Sequence, residues 1–133
     1  MRKINIFLCA ALVIVSFFGC HISEKQKEYE LSITATEISN NSVGEDWKKT
    51  YECDGISIQN GERYALELGG SQKTIAITIV EKDLYPDVGY GCANIVLEDG
   101  FSTSVTISVV ENAGRYAYNE ALWKITFSVS LRK

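Results

Sequence analysis

The side chains best equipped for chemistry lie in one stretch, Glu81-Lys82-Asp83-Leu84-Tyr85-Pro86-Asp87-Val88-Gly89-Tyr90-Gly91. Three carboxylates at near-alternating positions, beside backbone carbonyls, are the hard oxygen ligands that calcium takes. The stretch reads as the longest loop, 82–92, and holds the only proline of the chain. The competing reading is an ordinary polar turn rigidified by Pro86. A second stretch, Glu111 to Glu120, sets Tyr116 and Tyr118 beside Arg115, Asn112 and Asn119. Aromatic faces with polar rims suit a glycan or a peptide. The same tyrosines would also plug the end of a sandwich with their hydroxyls in water.

Catalytic constellations are missing. The one histidine, His21, adjoins Cys20 at the close of the N-terminal apolar run, where it cannot orient a nucleophile. There is no Gly-x-Ser-x-Gly, His-Glu-x-x-His, Cys-x-x-Cys or phosphate-cradling glycine loop, and Gly89-Tyr90-Gly91 signals only flexibility. A paired-carboxylate hydrolase needs a cleft that a small sandwich has little room for. The expectation is a protein that is not an enzyme. Thirteen Lys+Arg against seventeen Asp+Glu give a formal charge of −4, the wrong sign for a nucleic-acid binder.

The chain begins with an address. Arg2 and Lys3 precede an almost wholly apolar run from Ile6 to Gly19, followed by polar His-Ile-Ser-Glu-Lys-Gln-Lys-Glu. That run is short for a membrane span and suits a signal segment. Its close, Ser16-Phe17-Phe18-Gly19-Cys20, resembles the lipobox of bacterial lipoproteins, with Phe17 where that family usually has leucine. The resemblance implies that Cys20 is lipidated and becomes the mature N-terminus, anchored in the cell membrane on its extracytoplasmic side. Three segments are expected: a signal peptide over 1–19, a lipidated N-terminus and tether over 20–28, and a domain over 29–133. Processing removes Arg2 and Lys3 and no acid, so the mature 114 residues carry a formal −6. Attachment then rests on acyl chains, because an acidic domain is weakly repelled by anionic headgroups.

The elements that must position the candidate side chains read as strands. Leu31, Ile33 and Ala35 alternate with small polar residues; Tyr64, Leu66 and Leu68 do the same, as do Ile75, Ile77 and Ile79, then Val105, Ile107 and Val109. Trp123, Ile125, Phe127, Val129 and Leu131 form the cleanest run. Period two with β-branched enrichment predicts half-buried antiparallel strands. Turn signals at Asn40-Asn41, Asp54-Gly55, Asn60-Gly61, Gly69-Gly70, Asp99-Gly100 and Asn112-Ala113-Gly114 separate seven or eight of them, the sixth expected near 93–98. The fold class is therefore all-β, a single antiparallel sandwich with an immunoglobulin-like or C2-like outline. The acidic stretch loosely resembles the calcium loop of C2-type sandwiches, which implies Asp83 and Asp87 as ligands with Glu81 and Asp46 in support. Together with Val43-Gly44-Glu45-Asp46-Trp47 and Trp123, the tyrosine stretch resembles a pattern in small surface lipoproteins of Gram-positive bacteria.

Outside the cytoplasmic membrane, Cys53 and Cys92 are expected to form a disulfide closing a forty-residue loop, a contribution of about 3–4 kcal/mol. The alternative is two separate buried thiols. Strand parity ties this to the calcium reading. If Asp54-Gly55 and Asn60-Gly61 are both turns, the 39–46 and 82–92 loops share one end of the sandwich and the cysteines stand about 15 Å apart. If Asp54-Gly55 is a bulge within one strand, the loops part and the cysteines approach. The disulfide is the preferred arm. The functional expectation is a lipid-anchored binding or interaction module at the bacterial cell surface, taking a protein or glycan, with calcium as the one cofactor considered. The alternative is an accessory subunit of an envelope complex without a small-molecule ligand.

Overall fold

The computed structural model describes residues 27–65 and 72–133. The signal segment, Cys20, His21, Leu66, Leu68 and the Gly69-Gly70 turn lie outside the described residues. Among the described residues eight strands form: β1 (Glu28–Asn40), β2 (Trp47–Cys53), β3 (Ile56–Ile58), β4 (Glu62–Ala65), β5 (Gln72–Glu81), β6 (Asp87–Val96), β7 (Ser102–Val110) and β8 (Glu120–Leu131). They make two four-stranded antiparallel sheets, in the orders β4-β1-β8-β7 and β3-β2-β5-β6. The all-β sandwich is as the periodicity predicts.

Between the sheets lie the alternating residues. Leu31, Ile75, Ile79, Ile95, Val109, Ile125 and Phe127 are fully buried, and Phe127 meets Tyr51 edge-on across the layers at 6.1 Å. Each large aliphatic or aromatic side chain removed from water in this way contributes about 1.5–3 kcal/mol. The outward partners on β5 and β8, such as Thr74 and Lys124, remain exposed. Among the described residues no helix is long and apolar enough to cross a membrane.

Strand β6 departs from expectation. It starts at Asp87 and pairs with β5 from Glu81↔Asp87 to Gln72↔Val96, so the expected 82–92 loop shrinks to 82–86. Its inward positions at this end are Asp87, Gly89 and Gly91, which carry no apolar periodicity to read. The glycines are there because β7 crosses closely: a Cβ at Gly89 would lie 2.5 Å from the Ser108 carbonyl, and one at Gly91 2.7 Å from Ile107 Cδ1. Gly89-Tyr90-Gly91 is thus a close-packed seam, not a flexible element.

Asp54-Gly55 and Asn60-Gly61 are both turns, since β2 pairs with β3 and β4 crosses to β1 in the other sheet. The 41–46 and 82–86 loops therefore share an end, joined by a Lys82 N–H to Asp46 carbonyl bond of 2.8 Å. The same topology overturns the expected disulfide. Cys53 and Cys92 are both free thiols, the first buried on an inner face and the second exposed on an outer one. Strand β5 lies between their strands, a separation of about 10 Å, beyond disulfide reach.

Candidate functional site

Strand direction defines two ends. β1 runs from Glu28 to Asn40, where the 41–46 loop begins; 82–86 and 111–119 emerge at that same end. We call this end distal and the end holding Glu28 and Leu131 proximal.

The distal loops are fastened to one another by side chains that suit turns. Asn40 donates through Nδ2 to the Gly44 carbonyl at 2.7 Å and accepts the Val43 N–H at 2.9 Å, folding 41–44 over the buried Val43. Asp83 accepts the Tyr85 N–H at 2.6 Å, a local Asx turn. Asp87 Oδ1 accepts the Asn112 N–H at 2.9 Å, and Asn112 Nδ2 donates to the Pro86 carbonyl at 3.3 Å. These two bonds tie the β5–β6 and β7–β8 loops together. In the latter, Glu111 and Asn119 close the loop through Glu111 N–H to Asn119 carbonyl and Tyr118 N–H to Glu111 carbonyl, both 2.9 Å.

The structure brings part of the expected calcium set together and engages the rest elsewhere. Glu81 and Asp87 are register partners at the β5–β6 turn and are both buried. Asp46 sits 3.7 Å from Lys82 in an exposed ion pair, and Asp83 holds its turn. Among the described residues no three His, Cys, Asp or Glu side chains converge as a metal-holding group. What the sequence reading missed is Glu111, whose carboxyl lies beside Asp87. Glu81 Oε2 and Asp87 Oδ2 are buried and receive no hydrogen bond. Burial, then the charges of Asp83, Asp87, Glu111 and Asp46, push the Glu81 carboxyl above its ordinary value. Partial burial and then Asp87 push Glu111 up as well. Ionised carboxyls only accept, so the Asp87–Glu111 contact becomes a hydrogen bond only when one is protonated.

Tyr116, Tyr118 and Arg115 lie together on the β7–β8 loop. A short 3-10 turn, Gly114–Tyr116, stacks the Arg115 guanidinium 4.7 Å from the Tyr116 ring and lets it donate to the Tyr116 hydroxyl. Tyr118 is 90% exposed and held at φ +73°, a conformation that bulky side chains seldom adopt. On the neighbouring loop Leu84 and Tyr85 are 83% and 63% exposed. The distal tip therefore presents four large apolar or aromatic side chains to solvent.

A cleft of about 680 Å³ opens beside them, lined by Glu37, Asn40, Ser42, Gly44, Glu45 and Trp47. It exists because the inner faces of β1 and β2 turn polar. The inward row of β1 runs Leu31, Ile33, Ala35, Glu37, and Lys49 occupies an inward position on β2. Above Leu31, β1 has no strand neighbour beyond β8 among the described residues, nor has β2 before Tyr51 beyond β5. Inward charges at such edges discourage strand-to-strand aggregation. Lys49 Nζ lies 3.7 Å from the centre of the Trp123 ring, and Trp123 meets Trp47 edge-on at 5.4 Å. Burial lowers the Lys49 pKa, and the Glu37 charge partly restores it. Both indole N–H groups are buried without an acceptor. The stop in alternation after Ala35 was the sequence signal for this cleft.

No protein-family model matches the chain, and no curated protein matches its sequence. The fold and the distal end alone therefore carry the functional argument.

Proposed function

We propose that the chain is a lipid-anchored, extracytoplasmic β-sandwich that acts as a binding module at the bacterial cell surface, with its distal end as the working face. The observation that carries this reading is direction. A tether ending at Glu28 feeds the proximal end of β1, and thirteen residues of strand separate it from the 41–46 loop, a rise of about 40 Å. An anchor at Cys20 leaves Leu84, Tyr85, Tyr116 and Tyr118 facing away from the membrane. Exposed aromatic tips on fastened loops suit recognition of a protein or a glycan.

Two measurements test this. A fatty-acid probe is expected to label the wild-type protein and not Cys20→Ala; labelling that persists in the variant removes the anchor. A photo-crosslinking residue at position 118 is expected to give adducts on intact cells, whereas one at position 63, on proximal β4, is not. Equal adducts at both positions would remove the distal end as the working face.

A second reading, an accessory subunit of an envelope complex, is favoured by Val88 and Tyr90, exposed on the outer side of β6. It predicts a stoichiometric partner whose recovery from membranes is lost in Val88→Ser with Tyr90→Ser and kept in Tyr118→Ser.

A further inference from the structure

We infer that the cleft beside Trp47 receives a lysine or arginine side chain from a protein partner. The inference rests on the distal end being the working face and names the chemistry of what binds there. The cleft walls hold two exposed carboxylates, Glu37 and Glu45, and an indole, Trp47. That combination recognises an ammonium or guanidinium group, through charge-assisted hydrogen bonds and attraction to the ring face. The protein already contains an internal example in Lys49 over Trp123, whose ring meets Trp47 edge-on at 5.4 Å. The hydroxyl and amide groups on the walls do not redirect the ligand. Asn40 is spent on Val43 and Gly44, with a longer 3.4 Å bond from its Nδ2 to Glu37 Oε2.

A second observation points to a cation independently of the cleft lining. The Glu81 side chain is 4% exposed and its Oε2 has no partner. Its other oxygen lies against Gly44, a wall of the cleft: a Cβ on Gly44 would overlap Glu81 Oε1. Asp87, fully buried, carries a second unpartnered oxygen. Across 41–46, 81–87 and 111–120 the chain has seven acidic and two basic residues, so this end holds a formal −5 of the mature −6. Of the two bases, Lys82 pairs with Asp46 and Arg115 stacks on Tyr116. Lys49 is held over Trp123 and its charge acts on Glu37, which leaves Glu45 and the loop carboxylates as the negative field at the cleft. A basic side chain from outside completes it, while Leu84, Tyr85 and Tyr118 offer contact for apolar neighbours in the same partner segment.

The test uses the full chain in detergent micelles and two labelled peptides, one of lysine, leucine and serine, the other with glutamate replacing lysine. The lysine peptide is expected to bind and the glutamate peptide not. Glu37→Gln with Glu45→Gln should weaken binding about tenfold or more, and raised salt should weaken the wild type. These exposed substitutions should leave the melting temperature unchanged. Equal binding of both peptides, no binding, or a charge variant that binds like wild type would overturn the inference. So would displacement of the peptide by calcium together with a chelator-reversible rise in melting temperature, which would make this end a metal site. Crosslinking through position 118 in cells without lysine-peptide binding removes the cationic ligand alone; loss of both removes the working face as well.

Discussion

At the proximal end of the sandwich, charged and polar groups meet partners; at the distal end several do not. Arg132 reaches Glu28 at 3.5 Å while its N–H bonds the Glu28 carbonyl, fastening the last residues of the chain to the first of β1. Asp99 accepts the Leu131 N–H at 2.8 Å, and Asn60 accepts the Ile33 N–H at 2.7 Å. Among the described residues, Trp47 Nε1, Glu81 Oε2, Asp87 Oδ2 and Trp123 Nε1 are buried without partners toward the distal end, against Tyr64 OH alone lower down. A buried unsatisfied group costs about 1–3 kcal/mol. The fold thus satisfies its polar groups at one end and leaves several wanting at the other, the kind of local inconsistency that functional sites carry.

The largest expected effect tests the apolar core shared by both ends. Phe127, fully buried against Tyr51, should lose about 3–5 kcal/mol on Phe127→Ala in chemical denaturation. A loss below 1 kcal/mol would mean that the core does not hold the sheets. Next is the seam between β6 and β7. Gly89→Ala puts a methyl against the Ser108 carbonyl, a backbone atom that yields little, and should cost about 1–3 kcal/mol. The same exchange at Gly55, where a Cβ meets nothing but φ is +76°, isolates the backbone contribution from the crowding.

Much of this molecule was legible beforehand, and the failures are localised. Strands β5 and β8 announce themselves because large branched residues alternate with small polar ones. The first half of β6 does not read as a strand because its inward positions there are aspartate and glycine, residues that ordinarily mark turns. Recognising it needs knowledge that β7 crosses there, a tertiary fact. The Cys53–Cys92 expectation failed for a related reason. It used compartment, which is general, against parity, which is specific, and the turns at Asp54-Gly55 and Asn60-Gly61 favoured parity. The tyrosine tip was readable in Arg115, Tyr116 and Tyr118. Glu111 was not, since its partner Asp87 lies twenty-four positions away on another strand.

A smaller effect separates the two ends by sign. Tyr118 at φ +73° is strained, and Tyr118→Asn, a residue that tolerates this region, should stabilise by about 0.5–1 kcal/mol. The same substitution should weaken partner crosslinking at the distal face. Stabilisation with undiminished binding would deny the tyrosine a functional reason for its conformation.

The acid cluster gives a pH signature. Glu81 and Glu111 have raised values in the folded state, so folding takes up protons at these groups. Their contribution is full below the ordinary glutamate value of 4.5 and is lost as pH rises through the higher folded values. Melting temperature should therefore fall across that window on the way to neutrality, and Glu81→Gln should flatten the fall and melt higher at neutral pH. A profile identical to wild type would mean that Glu81 finds a partner in solution. A cationic peptide in the cleft should flatten the profile in the same way, by favouring the ionised carboxylates.

The smallest expected effect is no change in stability, and it reports on how tightly the proximal end is closed. Cys53 is buried beside the β2–β3 turn, and burial followed by the Asp54 charge raises its pKa, so little thiolate forms at neutral pH. Cys92 is exposed on β6 and lies in the same chain under identical solution conditions, which makes it the internal reference. A maleimide should label Cys92 within the mixing time of an ordinary experiment and Cys53 only as the protein opens. The ratio of the two rates then measures the opening free energy of the proximal end. If that end is the stable one, Cys53 protection should approach the global unfolding value and should be insensitive to Tyr118→Asn. Reductant should leave the melting temperature unchanged, because no bond joins the two sulfurs. A drop on reduction would show that the sheets rearrange to bring β2 and β6 together. Rapid labelling of Cys53 would make the proximal end the loose one.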